Sequence, residues 1–122
     1  LYLKEITMGY RSELYAIVGL IDLPEFDRLL KETDLTDCFE EHDKSDLAVE
    51  FRASGLKWYD GYAGVDKINE FFNESQFSIL LRIGEEFPDK EYYTGNSDLE
   101  QLFNLNIDVD TDINWYEHCL EE

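Results

Sequence analysis

The chain has 122 residues, 43% of them hydrophobic and 15% aromatic, with a formal net charge of −19 from 29 acidic and 10 basic side chains. Aromatic content this high excludes a disordered acidic tail, and the length fits one domain spanning 1–122. A field this negative repels DNA, RNA and anionic membranes and attracts basic proteins.

Cys38 and Cys119 are too few for a disulfide framework. No apolar run approaches the roughly 18 residues of a membrane span, and no signal-peptide pattern is present. A cytoplasmic location is therefore expected.

Residues 1–7 alternate weakly, and residues 8–12 read as a turn into the apolar stretch 13–21. The two stretches are expected to pair as a β-hairpin. Asp22 is placed to cap a helix with Pro24 in its first turn. Phe26, Leu29 and Leu30, at i, i+3 and i+4, form its buried stripe. Residues 34–46 are the most acidic connection, with Asp34, Asp37, Glu40, Glu41, Asp43 and Asp46 against Lys44 alone. Leu35, Cys38 and Phe39 give that connection one apolar edge, consistent with a short helix.

Residues 47–51 read as a strand. Gly55, Gly61 and Gly64 interrupt the aromatic segment that follows. Residues 65–72 form a helix with Val65, Ile68, Phe71 and Phe72 inward. Residues 77–83 are too apolar for a half-exposed strand, which predicts an interior position. Residues 84–89 turn the chain, and 91–94 pair back. Asn96-Ser97 caps a helix around Leu99, Leu102 and Phe103. Leu105, Ile107 and Val109 alternate with Asn104, Asn106, Asp108 and Asp110, which predicts an amphipathic strand. Residues 114–122 read as a terminal helix.

From residue 47 to 110 the order is β-α-β-β-α-β, the ferredoxin-like order, with the hairpin and first helix added before it. The fold class is α+β with an antiparallel or mixed sheet. Such sheets serve many functions, so the function must be read from the surface.

Two acidic stretches stand out. Outward carboxylates on a strand repeat about every 6.6 Å, and DNA presents a phosphate about every 3.4 Å of axis on each strand. Asp108, Asp110 and Asp112 would form one row; Glu25, Glu32, Asp34, Asp37, Glu40, Glu41 and Asp43 would line a second. Together they could imitate a phosphate backbone. The alternative for each row is a solvated face with no partner. Trp58, Tyr59, Tyr62, Tyr92 and Tyr93, with Gly55, Gly61 and Gly64 nearby, form a candidate aromatic anchor for a protein interface, centred on Trp58, Tyr59 and Tyr62, or else pack one edge of the core.

Metal and nucleophile signals are poor. Residues 106–117 fall near the ligand spacing of a calcium loop, but Thr111 replaces the turn glycine and Asn106 the first Asp. Cys38, His42, His118 and Cys119 lack the paired spacing of a zinc site. Neither a metal nor another cofactor is expected, nor is enzymatic activity.

Tyr2-Leu3, Gly9-Tyr10, Glu13-Leu14 and Leu23-Pro24 begin a scattered pattern. Lys31-Glu32, Leu35, Asp37, Phe39-Glu40-Glu41, Leu99-Glu100 and Leu102 continue it. It resembles the ArdA-type antirestriction proteins, acidic DNA mimics carried by phage and mobile elements. The resemblance implies occupation of the DNA groove of a host-defence enzyme. It assigns no residue a role beyond acidic and exposed, and the short chain and strand 77–83 depart from the family's pattern.

The expected function is thus a small acidic inhibitor of antirestriction or anti-CRISPR type. Its partner would be a basic nucleic-acid-binding protein, with no direct contact to nucleic acid or membrane. An immunity protein or antitoxin for a nuclease toxin is the alternative, and an acidic metal-binding or enzymatic domain the third. Self-association as a homodimer stays open.

Overall fold

The computed structural model describes residues 10–86 and 88–106. Its central strand, β1 (Ser12–Gly19), follows from an apolar run that alternates faces without losing hydrophobicity on either. Leu14, Ala16 and Val18 point to one side, and Ile17 and Tyr15 to the other. A strand buried on both faces belongs in a sheet interior.

The order along the chain is β1, α1 (Leu23–Glu32), a 3₁₀ turn (Thr36–Cys38), β2 (Glu40–Lys44), β3 (Ala48–Leu56), α2 (Ala63–Glu74), β4 (Ile79–Gly84), β5 (Lys90–Tyr93) and α3 (Ser97–Asn106). The strands form one five-stranded sheet in the order β2-β3-β1-β4-β5, and every neighbouring pair is antiparallel. The architecture is α+β.

Helices α1 and α2 cover one face. Phe26, Leu29 and Leu30 of α1 and Val65, Ile68 and Phe72 of α2 pack on Leu14, Ala16, Ala53 and Leu80. Leu99 of α3 is buried on the other face, among Ile17, Ala48, Ile79 and Leu81. Asn96 starts α3 as expected: its Oδ1 accepts the Asp98 amide at 3.0 Å.

Several sequence expectations change. The βαββαβ order is present, but its six elements run from Ser12 to Gly84 and not from 47 to 110. Strand β2 escaped notice because an acidic edge strand shows no apolar alternation. Both edges of β1 are occupied, by β3 and β4, so residues 13–21 do not offer an edge for the expected hairpin. Residues 1–9 lie outside the described residues. The strand expected at 105–109 starts inside a helix, since α3 carries Leu105 and Asn106. No Gly or Pro follows Gly95 to stop that helix. Residues 107–110 and the expected terminal helix are outside the described residues.

Asp22 stands at the α1 N-cap, yet its side chain makes no capping bond. Its backbone is helical (φ −93°, ψ −12°) rather than the extended form a capping residue uses. The carboxylate instead accepts the hydroxyls of Ser75 and Ser78 and ties α1 to the α2–β4 junction.

Two devices hold the fold. Phe26, fully buried, meets the rings of Phe39, Phe51, Phe71 and Phe72 at centroid separations of 5.8, 5.2, 5.8 and 5.5 Å. It thereby joins both helices to β3 and to the residue that leads into β2. The second device is the Arg82 guanidinium, which lies at 2.6 Å from Asp89 and 2.7 Å from Glu91. It also donates to Ser12 Oγ at 3.1 Å. Tyr10 Oη donates to Asp89 at 2.6 Å, so the start of β1 is locked to the β4–β5 hairpin. A side chain at Gly84 would meet the Tyr10 and Asp89 side chains, so a substitution there has to displace this lock.

Truncating Phe26 removes the shared contact of four rings. Phe26→Ala should lower the unfolding free energy by about 3–5 kcal/mol, measured by urea denaturation. Hydrogen bonds from Arg82, and then Tyr10, hold the Asp89 carboxyl below the usual range. Its contribution is therefore complete above the unfolded carboxyl value of about 3.9 and is lost as pH falls through the lower folded value. Asp89→Asn should flatten the acid limb of the stability profile below about pH 4, as read from melting temperature against pH.

Candidate acidic interaction surface

The acidic connection is built by a helix ending and one buried aromatic residue. Helix α1 closes with paired backbone bonds: the Leu35 amide donates to Leu30 O at 2.8 Å and the Asp34 amide to Lys31 O at 3.3 Å. This is a Schellman ending, and Asp34 takes its left-handed position with φ 61°. Asp lacks glycine's freedom there but tolerates the region better than most residues. The 3₁₀ turn carries Asp37 outward. Phe39 then turns into the core, against Phe26 and Trp58, and anchors the entry to β2.

Strand β2 is an edge strand: among the described residues it pairs only with β3. Glu40 stands opposite Arg52 and Glu41 opposite Phe51, and the register slips at His42 before Asp43 meets Glu50. Glu40 and Glu41 thus leave the edge on opposite faces. Asp34, Asp37, Glu40, Glu41 and Asp46 are exposed, and among the described residues none of them takes part in an ion pair. Asp43 is half-buried and its Oδ1 accepts the Lys44 amide at 2.8 Å. A depression of about 530 Å³ opens beside the 3₁₀ turn, with Glu13, Asp37 and Glu40 among its lining residues.

Most of the paired cations meet other carboxylates, although Arg52 shares the lining of this depression. Arg28 bridges Glu25 and Glu32 along α1, Lys31 meets Asp27, and Lys67 reaches across from α2 to Glu32. Lys67, then Arg28, hold the Glu32 carboxyl below its usual range. Arg52 pairs with the buried Glu50 at 2.6 Å and lies over the Tyr15 ring. The 34–46 segment therefore keeps its negative charge almost undiluted. Chemically it offers carboxylates to cationic side chains.

The aromatic group is only partly at the surface. Trp58 is a core residue, 6% exposed, and its indole N–H donates to Asn69 Oδ1 at 2.9 Å. That corrects its assignment as an interface anchor. An indole in a Gly-flanked segment looks mobile in sequence, but the buried amide partner on α2 draws it inward. Tyr59 is half-buried and accepts the Tyr10 amide through its hydroxyl at 2.5 Å. Tyr62 is exposed and packs edge-on to Tyr59. Tyr93 lies in the helix-face cluster, where burial pushes its hydroxyl up to about 12.

Asp108, Asp110 and Asp112 lie outside the described residues, as do His118 and Cys119. One of the two expected acidic rows is therefore on view. Cys38 and His42 do not share a helical turn: a 3₁₀ turn and a strand separate them. Among the described residues no group of three or more His, Cys, Asp or Glu side chains is arranged to hold a metal ion. No helix among them is long and apolar enough to cross a membrane. The Arg82 lock and the edge position of β2 were not read from sequence; an isolated Arg in the apolar run 79–83 was the available signal for the first.

No protein-family model, curated protein or solved structure matches this chain.

Crowded carboxylates on an exposed edge oppose folding. Neutralising Asp37, Glu40 and Glu41 to Asn and Gln should raise the melting temperature at low salt. The gain should shrink at about 1 M salt, where the screening length falls to about 3 Å.

Proposed function

We propose that this chain is a binding protein, not an enzyme, that blocks the basic nucleic-acid-binding groove of a partner enzyme by charge mimicry. The partner is a nuclease of the restriction or CRISPR kind, and the setting is the cytoplasm, where such enzymes work. The observation that carries this reading is that Asp34, Asp37, Glu40, Glu41 and Asp46 are exposed in and beside a sheet edge and make no ion pair among the described residues. The resemblance to ArdA-type proteins points the same way. A surface that attracts basic proteins at long range also repels nucleic acid, so competition would take place on the enzyme and not on its substrate.

The immunity-protein reading has less support. Its proposed aromatic centre loses Trp58 to the core and keeps Tyr62 as its exposed member.

The test is inhibition of a panel of restriction and CRISPR nucleases, with DNA cleavage as readout. For any inhibited enzyme, Asp37→Lys, Glu40→Lys and Glu41→Lys combined should weaken inhibition about tenfold or more, because a close interfacial charge pair is worth about 1.5 kcal/mol or more. Inhibition by the parent protein should decline steeply as salt rises. Full inhibition by the reversed variant, with its fold intact by circular dichroism, would sink the mimicry reading.

A further inference from the structure

The acidic edge is also the border of an apolar groove. Between α1 and β2 runs a cleft of about 510 Å³, with Leu20, Pro24, Phe39 and Phe51 in its lining and Asp27 and Glu41 at its rim. At one end it opens onto bare hydrophobic surface. Ile21 is 72% exposed, Leu20 44% and Leu47 40%. Leu20 and Leu47 are held side by side, since the Leu20 amide donates to Leu47 O at 2.8 Å. Single exposed apolar residues are ordinary, but a cluster continuous with a groove marks an interaction site.

Charge selects the occupant. A second copy would bring another −19 to the same place, and an anionic membrane is repelled for the same reason. A segment with apolar residues on one face and Lys or Arg on its flanks meets both requirements: the apolar face enters the cleft, and its cations reach Glu41 in the lining. The edge of β2 is ill suited to taking an added strand. Its ladder is broken at His42, and the Lys44 amide is already held by Asp43. Irregular, charged edges of this kind oppose strand addition. A helix laid in the cleft needs no backbone bonds from β2.

We infer that the groove between α1 and β2, with Leu20, Ile21 and Leu47, docks a basic amphipathic helix of the partner protein. The inference rests on the reading of this chain as one that meets a basic partner, and it adds a short-range apolar contact to the long-range charge.

The probe is a fluorescein-labelled helical peptide of about 14 residues, close to four turns, with Leu on one face and Lys on the other. One control replaces Leu with Ser and keeps Lys; a second replaces Lys with Glu. Anisotropy titrations at low and high salt are paired with amide chemical-shift mapping. The Leu/Lys peptide should bind, retain binding at high salt, and shift the amides of Leu20, Ile21 and Leu47. The Lys/Ser and Leu/Glu peptides should each bind at least tenfold more weakly. Ile21→Ser with Leu47→Ser keeps every charge, changes exposed side chains only, and should lose at least tenfold with melting unchanged.

Equal binding of the Lys/Ser peptide, shifts confined to another face, or an unaffected double variant would overturn the groove. So would a dimer in sedimentation that the double variant abolishes, since the occupant would then be a second copy. The two readings fail separately. Mimicry fails if the Lys-substituted acidic edge still inhibits nucleases, and the groove fails if the uncharged double variant still binds peptide as the parent does.

Discussion

Mutual repulsion among carboxylates is the constraint under which this chain folds, and the placement of its few cations is the response. The chain has roughly three acids for each base. Two of its cations, Lys67 and Arg82, join separate elements. Lys67 and Arg28 converge on Glu32 and link the two helices, and Arg82 fastens the β4–β5 hairpin to the start of β1. Arg82 matters more than the exposed pairs on α1. Pairs between exposed side chains contribute about 0–1 kcal/mol, whereas a buried guanidinium without its carboxylates would be strongly destabilising. Drawing cations into such locks leaves Lys44 as the single Lys or Arg side chain between Asp34 and Asp46.

The same arrangement lets a repulsive surface sit on a well-packed core. Phe39 is the hinge of that relation. It lies between Asp37 and Glu40 in sequence and between Phe26 and Trp58 in space. Asp37, Glu40 and Glu41 are each one or two residues from this inward ring, so the middle of the acidic segment is anchored to the core. A loop of the same composition would spread its charges and blur any pattern they make. The Schellman ending of α1 does the corresponding job at Asp34 by fixing where the acidic segment begins.

What could be read from the sequence was whatever buried hydrophobicity makes periodic. The stripes of α1 and α2, the interior position of residues 79–83 and the Asn96 cap all follow from local patterns. What escaped depends on partners distant in sequence. Strand β2 is a strand because β3 lies beside it, and nothing in Glu-Glu-His-Asp-Lys announces that. Residues 13–21 looked like half of a hairpin because pairing with residue 1–7 neighbours costs little loop entropy, yet their actual neighbours are residues 48–56 and 79–84. Trp58 was misread for the same reason: its buried partner, Asn69, belongs to another element. The acidic surface was legible as a segment, but its lack of counter-ions and its border with an apolar groove required three dimensions.

Charge and groove would act at different stages of one encounter. Long-range attraction raises the rate at which a basic partner arrives and orients, and it weakens as salt rises. It does little to hold the partner once water and ions return to the rim. Differences in affinity among related complexes lie mostly in dissociation, which depends on what is buried at short range. On this chain the acids from Asp34 to Asp46 supply the first effect and the cleft lined by Leu20, Phe39 and Phe51 can supply the second. Because Glu41 lies at the rim of that cleft and on the acidic edge at once, the two effects share a residue. An arriving cation drawn to Glu41 is already at the mouth of the groove, so capture by charge and retention by burial are consecutive steps on the same surface.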